Sequence, residues 1–240
     1  MSDSTVTIPK HVGFILDGNR RWAQAEGLPT LEGHKKGYEN LKDIAKYAFD
    51  QGVEYVSAYV FSTENWKRSA EEVDYLMKLL IWVSKHEIKE LDKQNIKVQF
   101  LGEEEPLSKE VLSAMESAEE RTKNNTGGTL ILCLNYGGKL EIASAVNKIL
   151  ARNPGITEVT PELIEQNLYK PGIPAVDLVI RTSGEQRISN FMLWRAAYSE
   201  LYFVQKHWPA FTTDDLQTAL DDFASRDRRF GGDHKSKAKS

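Results

Sequence analysis

Apolar and polar positions along the chain fall into alternating blocks. Six short apolar runs stand out: HVGFILDG (11–18), EYVSAYVFS (54–62), IKVQFLGE (96–103), TLILCLNY (129–136), VDLVIRTSG (176–184) and ELYFV (200–204). Most are near-continuous rather than alternating, the pattern of strands buried on both faces. Helical spacing fills the intervals at 34–50, 70–93, 107–123, 138–152 and 213–225. Strands alternating with helices predict an α/β fold, with a mainly parallel six-stranded sheet flanked by helices on both faces. No linker, repeat or low-complexity stretch interrupts the pattern. The 240 residues are read as one domain with a sizeable core, and 1–10 and 233–240 as flexible tails.

In such a sheet, ligands bind beyond the carboxyl ends of the strands. Four of the six runs end in small, polar or charged residues: Asp17-Gly18-Asn19, Ser62-Thr63-Glu64-Asn65, Asn135-Tyr136-Gly137-Gly138 and Arg181-Thr182-Ser183-Gly184. Their convergence on one rim would make a site. Gly18 lets the backbone turn sharply, and Arg20 and Arg21 beside it favour an anion. A carboxylate next to an anion is repelled unless a cation bridges them, so Asp17 reads as a Mg²⁺ ligand shared with phosphate oxygens. An ordinary Asp-Gly turn remains the alternative. At the fifth run, Arg181 and Arg187 flank a Ser-Gly turn, and Ser189 is placed to cap a helix starting at ISNFMLW. A surface ion-pair arrangement is the other reading. In FSTENWKRS, Trp66 could be core, and Arg68 offers a further phosphate contact. No GxxxxGK[ST] or GxGxxG is present, which excludes those nucleotide motifs.

The stretch 70–93 carries Val73, Leu76, Met77, Leu79, Leu80, Ile81, Trp82 and Val83, a wider apolar stripe than one core-facing side needs. It packs on two sides or lines a cavity for an apolar ligand. Composition is ordinary, 40% apolar and 28% charged, and the net charge of −4 argues against general nucleic-acid binding. The single cysteine, Cys133, lies inside an apolar run and reads as core; without a disulfide framework the expected compartment is reducing, hence cytoplasmic. No run approaches a membrane span, and no signal-type segment opens the chain. Lysines in the final segment DHKSKAKS leave at most a peripheral membrane contact. Together these features suggest a substrate with diphosphate at one end and hydrocarbon at the other, handled with Mg²⁺.

The segments HVGFILDGNRRWA, GHKKG, YVFSTENWKR, NYGG, DLVIRTSGEQRISNFMLW, AYSELYF and RDRRFGG, in this order and spacing from about 11 to 232, resemble the cis-prenyltransferases, typified by undecaprenyl diphosphate synthase. That resemblance implies a transferase that condenses isopentenyl diphosphate with an allylic diphosphate such as farnesyl diphosphate, making a cis-polyprenyl diphosphate of the undecaprenyl lipid-carrier type. It implies Mg²⁺, a homodimer and an apolar tunnel, for which Val60, Leu80, Val83, Ile131 and Leu132 are candidates. The family's essential aspartate falls on Asp17, and its allylic-phosphate loop on Gly18, Asn19, Arg20 and Arg21, followed by Trp22. Its histidine falls on His34. Ser62, Thr63, Glu64, Trp66 and Arg68 match the second strand-end group, with Asn65 the position credited with assisting proton removal. Contacts to isopentenyl diphosphate fall on Arg181, Arg187, Ile188 and Ser189, and a second metal-linked carboxylate on Glu200. The Arg-x-Gly element thought to complete the partner's site falls on Arg229-Phe230-Gly231.

Three positions depart from the common pattern. Thr30 stands where many members have arginine, with Arg20 able to compensate in part. Gln186 replaces a frequent histidine. Ser69 stands where proline often follows, which would loosen the loop before the long helix. The alternatives are a short-chain or branched-product enzyme on the same fold, and a non-catalytic regulatory subunit. Such subunits typically lose the aspartate segment, which this chain keeps.

Overall fold

In the computed structural model, which describes residues 7–228, the six runs form one six-stranded sheet. The strands are β1 (His11–Ile15), β2 (Tyr55–Ser62), β3 (Lys97–Leu101), β4 (Thr129–Tyr136), β5 (Leu178–Arg181) and β6 (Glu200–Phe203). Their order is β3-β4-β2-β1-β5-β6, and every neighbouring pair is parallel. The predicted parallel α/β architecture is therefore present. The four strands with polar ends, β4, β2, β1 and β5, are the contiguous centre of the sheet, so those ends do converge on one rim.

Strand alternation divides the core in two. Leu130, Leu132 and Leu134 of β4 face the larger cluster with Val12, Phe14, Leu41 and Phe61. Ile131, Cys133 and Tyr136 face the smaller cluster with Phe191 and Met192. Helices α2 (Thr30–Asp50), α3 (Ala70–His86), α4 (Ile88–Lys93), α5 (Lys109–Thr122) and α8 (Thr213–Ser225) supply the larger cluster. Helix α6 (Gly138–Arg152) is tied to the smaller one through its buried Glu141. Two seven-residue helices, α1 (Asn19–Ala25) and α7 (Pro161–Asn167), complete the set among the described residues.

Three expectations are corrected. The stretch 70–93 is two helices, broken at Glu87, whose carboxylate pairs with Lys42 of α2. Ser69 does not loosen the entry to α3: its hydroxyl accepts from Glu72 N at 3.3 Å and caps the helix. No helix starts at 188. Ser189, Asn190 and Met192 have positive φ, incompatible with a right-handed helix, and the polar groups of the segment bond elsewhere. Asn190 O accepts from Gly138 N, and the buried Arg195 donates to Glu141 and to Tyr169 O.

Two irregularities shape the rim. The β2–β4 register shifts at Val60 and again at Asn135, which has φ 48°. Such bulges re-aim side chains. Here they let Tyr59 and Val60 both border open space beyond the strand.

Candidate active site

Asp17 lies two residues past the end of β1. Its carbonyl accepts from Thr182 Oγ1 (2.7 Å), Ser183 Oγ (3.0 Å) and Trp208 N (3.0 Å), which fixes the backbone at that point. Gly18 has φ 105°, and a Cβ there would overlap Ser183 Oγ and His207. Only glycine fits both demands. The chain then enters α1, which lies against the glycine face of α2: side chains at Gly33 or Gly37 would collide with Asn19. This approach gathers Arg20, Arg21, Thr30 and His34 around one opening.

The Asp17 carboxylate holds Arg181 Nη2 at 2.8 Å and Arg21 Nη2 at 3.0 Å. Burial by itself would raise its pKa; the two arginines outweigh that and hold it below the usual carboxylate range. Arg181, itself buried, also donates to Arg187 O (2.6 Å) and Ser189 Oγ (2.7 Å), and its Nε has no partner among the described residues. Arg187 folds outward onto Glu185 at 2.6 Å, and Arg21 reaches the same carboxylate at 3.4 Å.

A second charged centre lies on α3. Glu72 is buried and accepts from His34 Nε2 (3.1 Å) and Arg68 Nη1 (3.0 Å), with Arg20 Nη1 at 3.4 Å. Burial lowers the pKa of His34, while Glu72 pulls it back up. Sequence reasoning missed Glu72. Its position three after Ser69 reads as a capping element, and the spacing of four from Arg68 was the available signal.

The 3-10 turn Thr63–Lys67 is closed by a capping box, in which Asn65 Oδ1 accepts from Ser62 N at 3.0 Å. A backbone N–H can only donate, so the carboxamide oxygen is committed and Nδ2 is left for a ligand. Trp66 lies edge-on to Phe61 at 5.1 Å and donates to Asn135 Oδ1 at 2.8 Å. Glu64 accepts from Asn190 Nδ2 at 3.0 Å.

Several of these side chains border two cavities, each of about 570 Å³, large enough for a small-molecule substrate. The first has a basic mouth (Arg20, Arg21, His34) and an apolar depth (Leu41, Phe61, Leu80, Val83, Leu132). Its wall includes Thr30, His34, Gly37, Tyr38 and Leu41 of α2, a stretch of about 16 Å at 1.5 Å per residue. The second is lined by Ser62, Glu64, Lys139, Arg181, Ser189 and Asn190. Leu16, Asp17, Tyr59, Asn65 and Arg68 border both. Burial raises the Tyr59 phenol, which stays protonated and donates to Tyr136 O at 3.1 Å.

Not every expected residue borders these spaces. Trp22, Thr63, Trp66, Arg187 and Ile188 line neither cavity. Val60, Leu80, Val83 and Leu132 line the first, whereas Ile131 points into the opposite core. Glu200 is not brought to Asp17 within the subunit. It pairs in register with Leu178 at the amino end of the sheet and binds Arg226 at 2.7 Å. Arg229-Phe230-Gly231 lies outside the described residues. Among the described residues no three His, Cys, Asp or Glu side chains cluster as a metal cage. Asp17, ionised and bordering both cavities, has the hard oxygen donors that Mg²⁺ takes together with phosphates and waters.

Comparison with known proteins agrees with this geometry. Residues 15–231 match a family model described as "Putative undecaprenyl diphosphate synthase". An isoprenyl transferase of Thermotoga maritima is 46% identical over 94% of this chain and 97% of its own length. One from Clostridium perfringens is 44% identical over 94% and 90%. Among solved structures, lavandulyl diphosphate synthase from Lavandula x intermedia, in complex with dimethylallyl diphosphate, superposes with TM-score 0.87 at 35% identity over 93% of this chain and 98% of that one. The protein described as a probable undecaprenyl diphosphate synthase from Campylobacter jejuni gives 0.80 at 28%, over 94% and 99%. By sequence, fold and the arrangement of its strand ends, the chain belongs to the undecaprenyl diphosphate synthase family of prenyltransferases.

Proposed function

We propose that this prenyltransferase elongates an allylic diphosphate with isopentenyl diphosphate to form a cis-polyprenyl diphosphate. The observation that carries the reading is the pair of cavities with one shared wall. The first suits a substrate with an anionic head and a hydrocarbon tail. The second gathers Arg68, Lys139, Arg181, Ser189 and Asn190, donors for a second diphosphate. Asp17, Asn65 and Arg68 stand where the two reacting ends would meet.

In this reading Arg20, Arg21 and His34 hold the allylic diphosphate, and Arg181 with Ser189 holds that of isopentenyl diphosphate. The allylic C–O bond breaks as the new C–C bond forms, and pyrophosphate leaves. A proton is then lost from the condensed chain to a pyrophosphate oxygen. Asn65 cannot be a strong base; its Nδ2 donates to a diphosphate oxygen and keeps the acceptor in place. Asp17 would hold Mg²⁺, which when bound offsets the charge of the two diphosphates. Glu72 keeps Arg20, Arg68 and His34 aligned. Arg20 supplies at the mouth the cation that Thr30 does not.

We also propose a homodimer. Among the described residues β6 is a sheet edge, paired only with β5, and carries the exposed Leu201 beside Tyr198, which is 72% exposed. Glu200 lies on that edge, so any metal-linked role for it belongs to the assembled dimer. No helix among the described residues is long and apolar enough to cross a membrane, and a cytoplasmic location fits the reading.

Incubation with labelled isopentenyl diphosphate, Mg²⁺ and geranyl, farnesyl or longer acceptors should give chain-elongated products on chromatography. No elongation from any acceptor sinks the reading, and branched or single-addition products replace it with the short-chain alternative. Sedimentation of an active monomer would refute the dimer.

A further inference from the structure

Each arginine, lysine and histidine side chain that lines the two cavities has an anionic partner, with one exception among the described residues. Arg20, His34 and Arg68 bind Glu72; Arg21 and Arg181 bind Asp17. Lys139 lines the second cavity, is exposed, and makes no ion pair. Its position is nevertheless fixed at the backbone. Lys139 N donates to Asn190 Oδ1 at 2.9 Å, and Gly138 N donates to Asn190 O at 2.8 Å. Asn190 in turn donates to Glu64 Oε1 at 3.0 Å, so the end of β2, the start of α6 and the loop after Arg181 are laced together around this cavity.

From this we infer that Lys139 is a substrate-binding residue that contacts the diphosphate of the second substrate. The inference rests on the proposed two-cavity reading and deepens it. The chemistry favours a lysine here. The second cavity already carries the carboxylates of Asp17 and Glu64, which repel a diphosphate. Arg181 is partly neutralised by Asp17 and buried, with its Nη donors aimed at fixed acceptors. An unpaired ammonium on a flexible stem supplies the missing positive charge and follows the ligand as it enters and leaves. An arginine folded onto a carboxylate, as Arg187 is on Glu185, must first break that pair.

The test is steady-state kinetics on the full chain with Lys139→Met, Lys139→Arg and Lys139→Glu. KM for isopentenyl diphosphate should rise about tenfold in Lys139→Met, the low end for losing a hydrogen bond between charged groups. It should rise further in Lys139→Glu and stay near wild type in Lys139→Arg. The KM of the allylic substrate and the melting temperature should not move, because the side chain is exposed. Calorimetric titration of isopentenyl diphosphate with Mg²⁺ and no allylic substrate, where no turnover occurs, should show the same loss of affinity. An isopentenyl diphosphate KM and affinity unchanged in Lys139→Met overturn the assignment while leaving the two-cavity reading intact. A wild-type protein that neither binds nor elongates sinks that reading, and the Lys139 assignment with it.

Discussion

At the carboxyl rim of the sheet, Asp17, Asn65, Arg68 and Arg181 border open cavities; at the amino rim of the same strands, charged and polar groups close on one another. His11 Nε2 meets Ser57 Oγ at 2.7 Å, Asp177 takes His11 N at 3.1 Å and Arg228 at 2.8 Å, and Glu200 takes Arg226 at 2.7 Å. None of these residues lines either cavity. The two rims show that charge content does not mark a site. What marks it is charge whose partners can be exchanged for a ligand. An Asp17–Arg181 pair beside a cavity can open toward a diphosphate and a metal, whereas His11 and Ser57 have nothing else to bind.

The largest difference between the rims should appear at Asp17. Asp17→Asn can keep an acceptor for Arg181 but removes the charge and the acceptor that Arg21 uses. Turnover should fall roughly a thousandfold, as for loss of a central electrostatic group, with little change in melting temperature. Asp17→Ala should be as inactive, and somewhat less stable because it leaves the buried Arg181 without its carboxylate. Wild-type turnover in Asp17→Asn, measured at saturating Mg²⁺, would remove Asp17 from the chemistry.

At the amino rim the largest expected effect is on stability and depends on pH. Burial lowers the pKa of His11 from 6.5 to about 4. Pro174 O can only accept, so Nδ1 carries the proton and Nε2 accepts from Ser57, a neutral ring with both nitrogens satisfied. Below pH 6.5 the unfolded chain takes up a proton that the folded chain refuses. The stability contributed by neutral His11 is therefore complete above 6.5 and lost as pH falls toward 4, by about 3 kcal/mol. Denaturant titrations between pH 7 and 4 should show this slope, and His11→Gln should flatten it. An equal slope in both proteins would mean that other groups carry it.

How much of this was legible in the sequence differs between the rims' architecture and their chemistry. Strands buried in the sheet's centre leave near-continuous apolar runs, and the partly exposed edge strand β6 keeps the apolar run 201–203, so all six were readable, as was the convergence of four polar ends. Short elements were not. α1 and α7 have only seven residues each, too few for a helical period, although Thr160-Pro161-Glu162 carried an N-terminal signal. The segment after 188 looked helical because its apolar spacing reflects insertion of Phe191 and Met192 into the smaller core. Asp17 and Arg181 were visible as strand-end residues. Tyr59, Lys139 and Asn190 were not, because each reaches the site through a contact distant in sequence, and Glu72 was hidden because its place three after Ser69 reads as a helix cap. The division into two cavities is likewise set by how α1, α2 and α3 pack, which no local pattern records.

A smaller effect separates the two faces of the sheet at the rim's apolar side. Val83 lines the first cavity, and Ile131 is buried on the opposite face. Phenylalanine at either position overpacks the protein and should cost about 1–3 kcal/mol. Only Val83→Phe fills space a growing chain would use, so only it should shorten the products on chromatography. The same product distribution from both variants would show that the first cavity does not hold the hydrocarbon.

The smallest effect should come from two exposed ion pairs of similar length, one on each rim. Lys10 and Glu54 are 3.3 Å apart at the amino rim, with side chains 55% and 59% exposed. Arg21 and Glu185 are 3.4 Å apart at the carboxyl rim. Water and salt screen both, so breaking either should cost below about 1 kcal/mol. Lys10→Gln should therefore shift the melting temperature slightly, lose even that shift at high salt, and leave turnover untouched. Glu185→Gln should be as mild for stability, yet it frees Arg187 and removes one of the two carboxylates that hold Arg21 at the edge of the site. Its KM for substrate diphosphate should change by a measurable factor. Equal kinetic silence in both variants would mean that a pair at the carboxyl rim is no more exchangeable than one at the amino rim.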